Sequence, residues 1–229
     1  MSTATLTDKD MRLRDAVLHQ LEWDPAVEAS GIGVTARGGA ITLTGSIDSY
    51  AGKLAAERAC KRIHGVRAVA NDLDVKLIAG RSDADIASDA ATMLRLHNEV
   101  PESVQVAVHH GHLTLTGTVA WHYQRMQAEK AVRSIRGVRH LTDRISMVPR
   151  AAGHDMHRRI TEALHRNATL DAKHIAVTVT GSVVHLKGVA TSWLQRNAAE
   201  RAAYDAPGIT MVDNQIVVEP PTDDTWEIC

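Results

Sequence analysis

The chain contains no phenylalanine and only two cysteines among its 229 residues. The first absence leaves aliphatic side chains and alanine to fill any core, since hydrophobic residues still make up 44% of the chain. The second excludes a disulfide scaffold. Cys60 and Cys229 form no C-x-x-C pair, and Cys229 is the last residue, so it heads no C-terminal C-a-a-X box. A reduced, cytoplasmic life is the expectation. No run of 18 apolar residues occurs, so no transmembrane segment is expected. The opening "MSTATLTDKD" has neither a basic nor an apolar signal region, so no secretory leader is expected. An excess of one charge is also lacking. The net is −1, which argues against a general nucleic-acid binder.

Catalytic and nucleotide-binding patterns are missing as well. There is no G-x-S-x-G, no Walker loop and no G-x-G-x-x-G. "GIGVTARGG" is glycine-rich but leads into a strand pattern rather than a helix, so it does not read as a phosphate cradle. No enzyme and no cofactor are expected.

What is present is repetition. "AITLTGSIDSYAGKLAAERACKRIHGV" (40–66), "HLTLTGTVAWHYQRMQAEKAVRSIRGV" (112–138) and "VVHLKGVATSWLQRNAAERAAYDAPGI" (183–209) align. Gly45, Gly117 and Gly188 fall together at offsets of 72 and 71, as do Glu57, Glu129 and Glu200, and Gly65, Gly137 and Gly208. The spacing defines unit 1 (8–77), unit 2 (83–148) and unit 3 (154–218), then an acidic tail (219–229). Each unit opens on a helical stripe: Leu13, Val17, Leu21; Ile86, Ala90, Leu94; Met156, Ile160, Leu164. Two alternating runs follow around Gly38-Gly39, His110-Gly111 or Gly181-Ser182, a hairpin pattern. A second helix then carries small residues on one side, and Gly65, Gly137 or Gly208 is placed as its C-cap. A last alternating run closes the unit. The expected fold class is α+β: three tandem αββαβ modules, each with two helices on one face of a three-stranded sheet.

The "G-A-I-T-L-T-G", "G-H-L-T-L-T-G" and "G-S-V-V-H-L-K-G" runs resemble the BON domain family, named for bacterial osmotically inducible protein Y and nodulation proteins. So do the A-E-[RK]-A helix and the polar residue six places after the later Gly: Asn71, Asp143 or Asn214. The resemblance implies a non-enzymatic binding module tied to envelope integrity and osmotic stress, with phospholipid as a ligand.

Two groups of residues need weighing. His109 and His112 are expected as a cross-strand pair on the outer sheet face, around a His110-Gly111 turn. Two imidazoles leave a structural or catalytic metal site short of ligands. With no third ligand in reach, no metal site is expected. The recurring pairs Lys53/Glu57, Arg125/Glu129 and Arg196/Glu200 read as solvated helix-face ion pairs at i,i+4.

Between 120 and 140 the charge is uneven: Arg125, Lys130, Arg133, Arg136 and Arg139 stand against Glu129 alone, a local net of +4. Trp121 and Tyr123 begin this helix, and Tyr50 and Trp193 hint at a shared contact surface at the same place elsewhere. Trp121, Tyr123, Arg125, Lys130, Arg133 and Arg136 are therefore the expected contact with anionic phospholipid. The alternatives are a protein-interaction or holdase-like scaffold, with self-association compatible, and a small-cation-binding protein.

Overall fold

A computed structural model describes residues 7–76, 81–148, 158, 160–162, 175–206 and 208–219. Unit 1 runs α1 (Asp8–Trp23), a one-turn 3-10 helix (Ala29–Gly31), β1 (Ile32–Arg37), β2 (Ala40–Ile47), α2 (Tyr50–Lys61) and β3 (Ala68–Val75). Unit 2 runs α3 (Asp83–Leu96), β4 (Gln105–His109), β5 (His112–Val119), α4 (His122–Val132) and β6 (His140–Met147). Unit 3 contributes β7 (Ile175–Thr180), β8 (Val183–Ala190), α5 (Trp193–Tyr204) and β9 (Met211–Val218). The helix expected through Met156, Ile160 and Leu164 is described only at 158 and 160–162, where Ile160 is fully buried. Most of that helix, and the acidic tail beyond Glu219, lie outside the described residues.

Each sheet has three strands in the order first–second–third, antiparallel then parallel. The parallel pair requires a crossover, and the second helix supplies it. Alternation puts Ile41 and Leu43 of β2, and their counterparts, on the helix side. Leu43, Leu115 and Leu186 are each 0% exposed, so the three units share one core position. Small residues let the second helix sit low on the sheet: Ala56, Ala59 and Cys60; Ala128, Ala131 and Val132; Ala199 and Ala203 are all buried. The outer face of each sheet stays open, with exposed Thr44, Thr116 and Lys187 on the central strands.

The hairpins turn where positive φ is available. Gly38 and Gly39 have φ of 57° and 84°, and His110 and Gly111 have 49° and 74°. The second helices end earlier than the C-cap reading of Gly65, Gly137 and Gly208 implies. α2, α4 and α5 stop at Lys61, Val132 and Tyr204, with caps in the right-handed region. The glycines, at φ of 90° to 93°, instead turn the following loop toward the third strand.

Cys60 behaves as a small hydrophobe. It is 0% exposed, and burial pushes its thiol up to about 11. Native protein is expected to react at this thiol at least ~100-fold more slowly than unfolded protein. Stopped-flow titration with a disulfide reagent, in a Cys229→Ser background, checks this.

Candidate functional site

Lys53, Arg125 and Arg196 do not pair with the glutamates one turn on. Each reaches across to the third strand. Lys53 Nζ donates to Leu73 O at 2.7 Å, and Arg196 donates to Ile216 O at 3.1 Å and Asn214 O at 3.0 Å. Arg125 Nε meets Asp143 Oδ2 at 2.5 Å. The strand answers. Asn71 Nδ2 donates to Lys53 O at 3.0 Å, and Asn214 Nδ2 donates to Glu200 Oε2 at 3.0 Å. The polar residue six places after the Gly is thus half of a clasp between crossover helix and edge strand. The third strand runs beneath the helix, so its carbonyls are nearer to the cation than the helix's own carboxylate. Unit 2 replaces Asn with Asp143, and its Glu129 is held above the usual carboxylate range, by burial first and by Asp143 second.

Three residues of the expected anionic-surface contact are drawn into the fold. Arg125 is committed to Asp143 and only 29% exposed. Arg133 is the C-cap of α4 and half-buried. Trp121 is also half-buried: it takes the N-cap place that Ser49 and Ser192 hold in the other units, and Gln124 Oε1 accepts from its backbone N–H. Tyr123, Lys130 and Arg136 do face solvent, and Tyr123 is 52% exposed. Met126, not singled out from the sequence, is 44% exposed beside them. Its i+3 spacing from Tyr123 was the available signal.

The hairpin histidines are where their alternation puts them. His109 and His112 are cross-strand partners, and His112 also pairs in register with His140 of β6. The His112 and His140 rings lie 4.4 Å apart, centroid to centroid. Among the described residues no three His, Cys, Asp or Glu side chains are arranged to hold a metal ion. The turn itself is held by a carboxylate. Asp83 accepts from His110 N at 2.7 Å and Gly111 N at 2.9 Å, and these bonds hold it below the usual carboxylate range.

The shared surface at the start of the second helix joins the units. The equivalent residues there are Tyr50, His122 and Trp193, not Trp121 or Tyr123. Tyr50 packs against the core of unit 2 and is held above its usual pKa by burial first and by Glu129 second. His122 stacks on Tyr204 of unit 3, centroids 3.7 Å apart and planes within 6°. Trp193 of unit 3 donates its indole N–H to Val66 O of unit 1 at 3.2 Å, with Lys61 Nζ 4.9 Å from the ring centroid. Lys61 and Tyr204 are themselves aligned positions. Helix start thus meets helix end from unit 2 to 3 and from 3 back to 1, while the helix start of unit 1 packs on the core of unit 2. Three heterologous seams that use aligned helix starts, and lead from unit 3 back to unit 1, close a ring. A cavity of ≈ 110 Å³ lies in the last seam, between Lys61–Val66 and Thr191–Trp193. Its lysine is paired with Glu57 at 2.6 Å.

Among the described residues no helix is long and apolar enough to cross a membrane. No curated protein matches the chain. Solved structures similar to it include the C-terminal domain of CdsD, a structural protein of the type III secretion system of Chlamydia trachomatis. That likeness has 14% identity over 91% of this chain and 98% of that one, with a TM-score of 0.26. The PrgH periplasmic domain shows 9% identity over 83% of this chain and 95% of that one, with a TM-score of 0.22. Values this low fix neither fold nor function. The BON domain model, in contrast, matches at residues 9–76, 82–149 and 155–220. Those matches fall on the three repeats and cover most of the sequence: the chain belongs to the BON domain family.

Proposed function

We propose that the chain is a cytoplasmic, non-catalytic platform in envelope or osmotic stress that contacts anionic phospholipid through the solvent face of α4. The observation that carries this reading is the exposed stripe Tyr123, Met126 and Lys130, with Arg136 exposed just beyond the helix. The spacing i, i+3, i+7 puts the three on one face, opposite buried Ala128, Ala131 and Val132. An aromatic ring, a thioether and cations in one stripe suit the boundary between headgroups and acyl chains. Leu194, at the place of Tyr123 in unit 3, is 67% exposed.

Each cation near an anionic surface contributes about 1 kcal/mol, and the attraction fades within about 8 Å at physiological salt. Binding is therefore weak and reversible. Co-sedimentation with phosphatidylglycerol vesicles is expected, falling with salt, and little with phosphatidylcholine alone. Lys130→Glu with Arg136→Glu is expected to lower binding about tenfold or more. Equal binding by the double variant, or none by the wild type, favours a protein-interaction scaffold. A thermal shift with added cations in place of lipid binding points to a cation-binding protein.

A further inference from the structure

The three aligned seam residues are chemically unequal. Tyr50 and Trp193 carry no charge near neutral pH, whereas His122 can acquire one. We infer that the seam between units 2 and 3 is a proton-sensitive latch: protonation of His122, stacked on Tyr204, loosens that seam while the seam between units 3 and 1 stays closed.

The geometry is specific. The imidazole lies flat on the Tyr204 phenol, and its Nδ1 is buried with no hydrogen-bond partner among the described residues. Tyr204 is fixed from behind, its hydroxyl accepting from Val212 N at 3.3 Å. A neutral ring tolerates this position. A protonated ring would hold a second N–H donor at a buried, unpaired nitrogen.

The charges around it are mixed. Arg125 on the same helix opposes protonation. Glu200 on α5, Asp205 at its cap and Asp143 on β6 favour it. Burial is the largest influence, and with Arg125 it holds the ring below the ordinary histidine range. The sign follows. The open seam, with a solvated His122, takes up its proton first as pH falls. Closure is therefore at full strength above the ordinary histidine value of about 6.5 and is lost progressively below it.

Hydrogen–deuterium exchange of the full chain, at about pH 7.5 and about pH 5 and corrected for intrinsic rates, tests the latch. Protection in residues 120–128 and 199–206 is expected to fall by about threefold or more on acidification. Residues 61–67, behind the Trp193 contact, are expected to hold theirs. His122→Phe keeps a stacking ring without a titrating nitrogen and is expected to abolish the change. If that variant misfolds, His122→Tyr, the choice already made at position 50, takes its place. Unchanged protection in the wild type overturns the inference. So does an equal fall at both seams, or a loss that persists in the Phe or Tyr variant.

Discussion

Gly117→Ala is expected to cost the second unit about 3 kcal/mol or more, a large share of a small domain's stability. The residue sits at φ 124°, a conformation L side chains rarely adopt. An added Cβ would overlap the carbonyl oxygen of Ser103 and lie 2.9 Å from its carbonyl carbon. Ser103 leads directly into β4, whose pairing begins at Gln105↔Thr116, so it cannot withdraw without loosening the strand. Gly38→Ala is the matched control. It also has positive φ, at 57°, but nothing lies within 4 Å of its added Cβ. Its expected cost is about 1 kcal/mol, from backbone conformation alone. Urea melts should show an early transition for the first variant and a nearly native profile for the second.

Trp193→Ala is expected to open the ring without unfolding any unit. Across the seam it removes one hydrogen bond to Val66 O, worth about 1 kcal/mol, and one cation contact, from Lys61 at 4.9 Å, worth about 0.5–1 kcal/mol. The buried indole surface adds to this. The seam between units 3 and 1 joins the ends of the repeat array, so no short linker holds it shut. Small-angle scattering should report a larger radius of gyration, while far-ultraviolet circular dichroism stays native. Loss of helical signal would mean that the indole supports unit 3 itself.

These two predictions differ in how far the sequence alone could reach them. Gly117 stands out by alignment with Gly45 and Gly188, and constant spacing exposes such positions. The buried Leu43, Leu115 and Leu186, the His110-Gly111 turn and the buried Cys60 were legible for the same reason: period two in strands, small residues on one helix side. The ring was not. Its seam residues are Tyr50, His122 and Trp193, three different side chains at one aligned position, so a comparison that looks for identical residues passes over them. Tyr50 and Trp193 could be seen as equivalent. Their unit 2 partner was misread by one position, because Trp121 and Tyr123 are the aromatics that flank His122.

Arg125 shows a second blind spot. On the helix its natural partner is Glu129, four residues away. Asp143 lies 18 residues away on a strand that passes beneath only after folding, and it takes the guanidinium. Local spacing cannot weigh a partner that the fold delivers. Tyr123, Lys130 and Arg136 are the residues of that group that the fold leaves exposed.

Three seams, each entered by the start of a second helix, close the chain on itself. The Trp193 indole N–H reports this closure most directly, because its acceptor lies 127 residues away in sequence. Heteronuclear-edited NOE spectroscopy, with the indole assigned by its disappearance in Trp193→Phe, reads that contact. Cross-peaks from the indole proton to Val66 and Lys61, with exchange slower than that of a solvent-exposed indole, are the predicted result. Cross-peaks confined to unit 3, with solvent-like exchange, would contradict the closed ring.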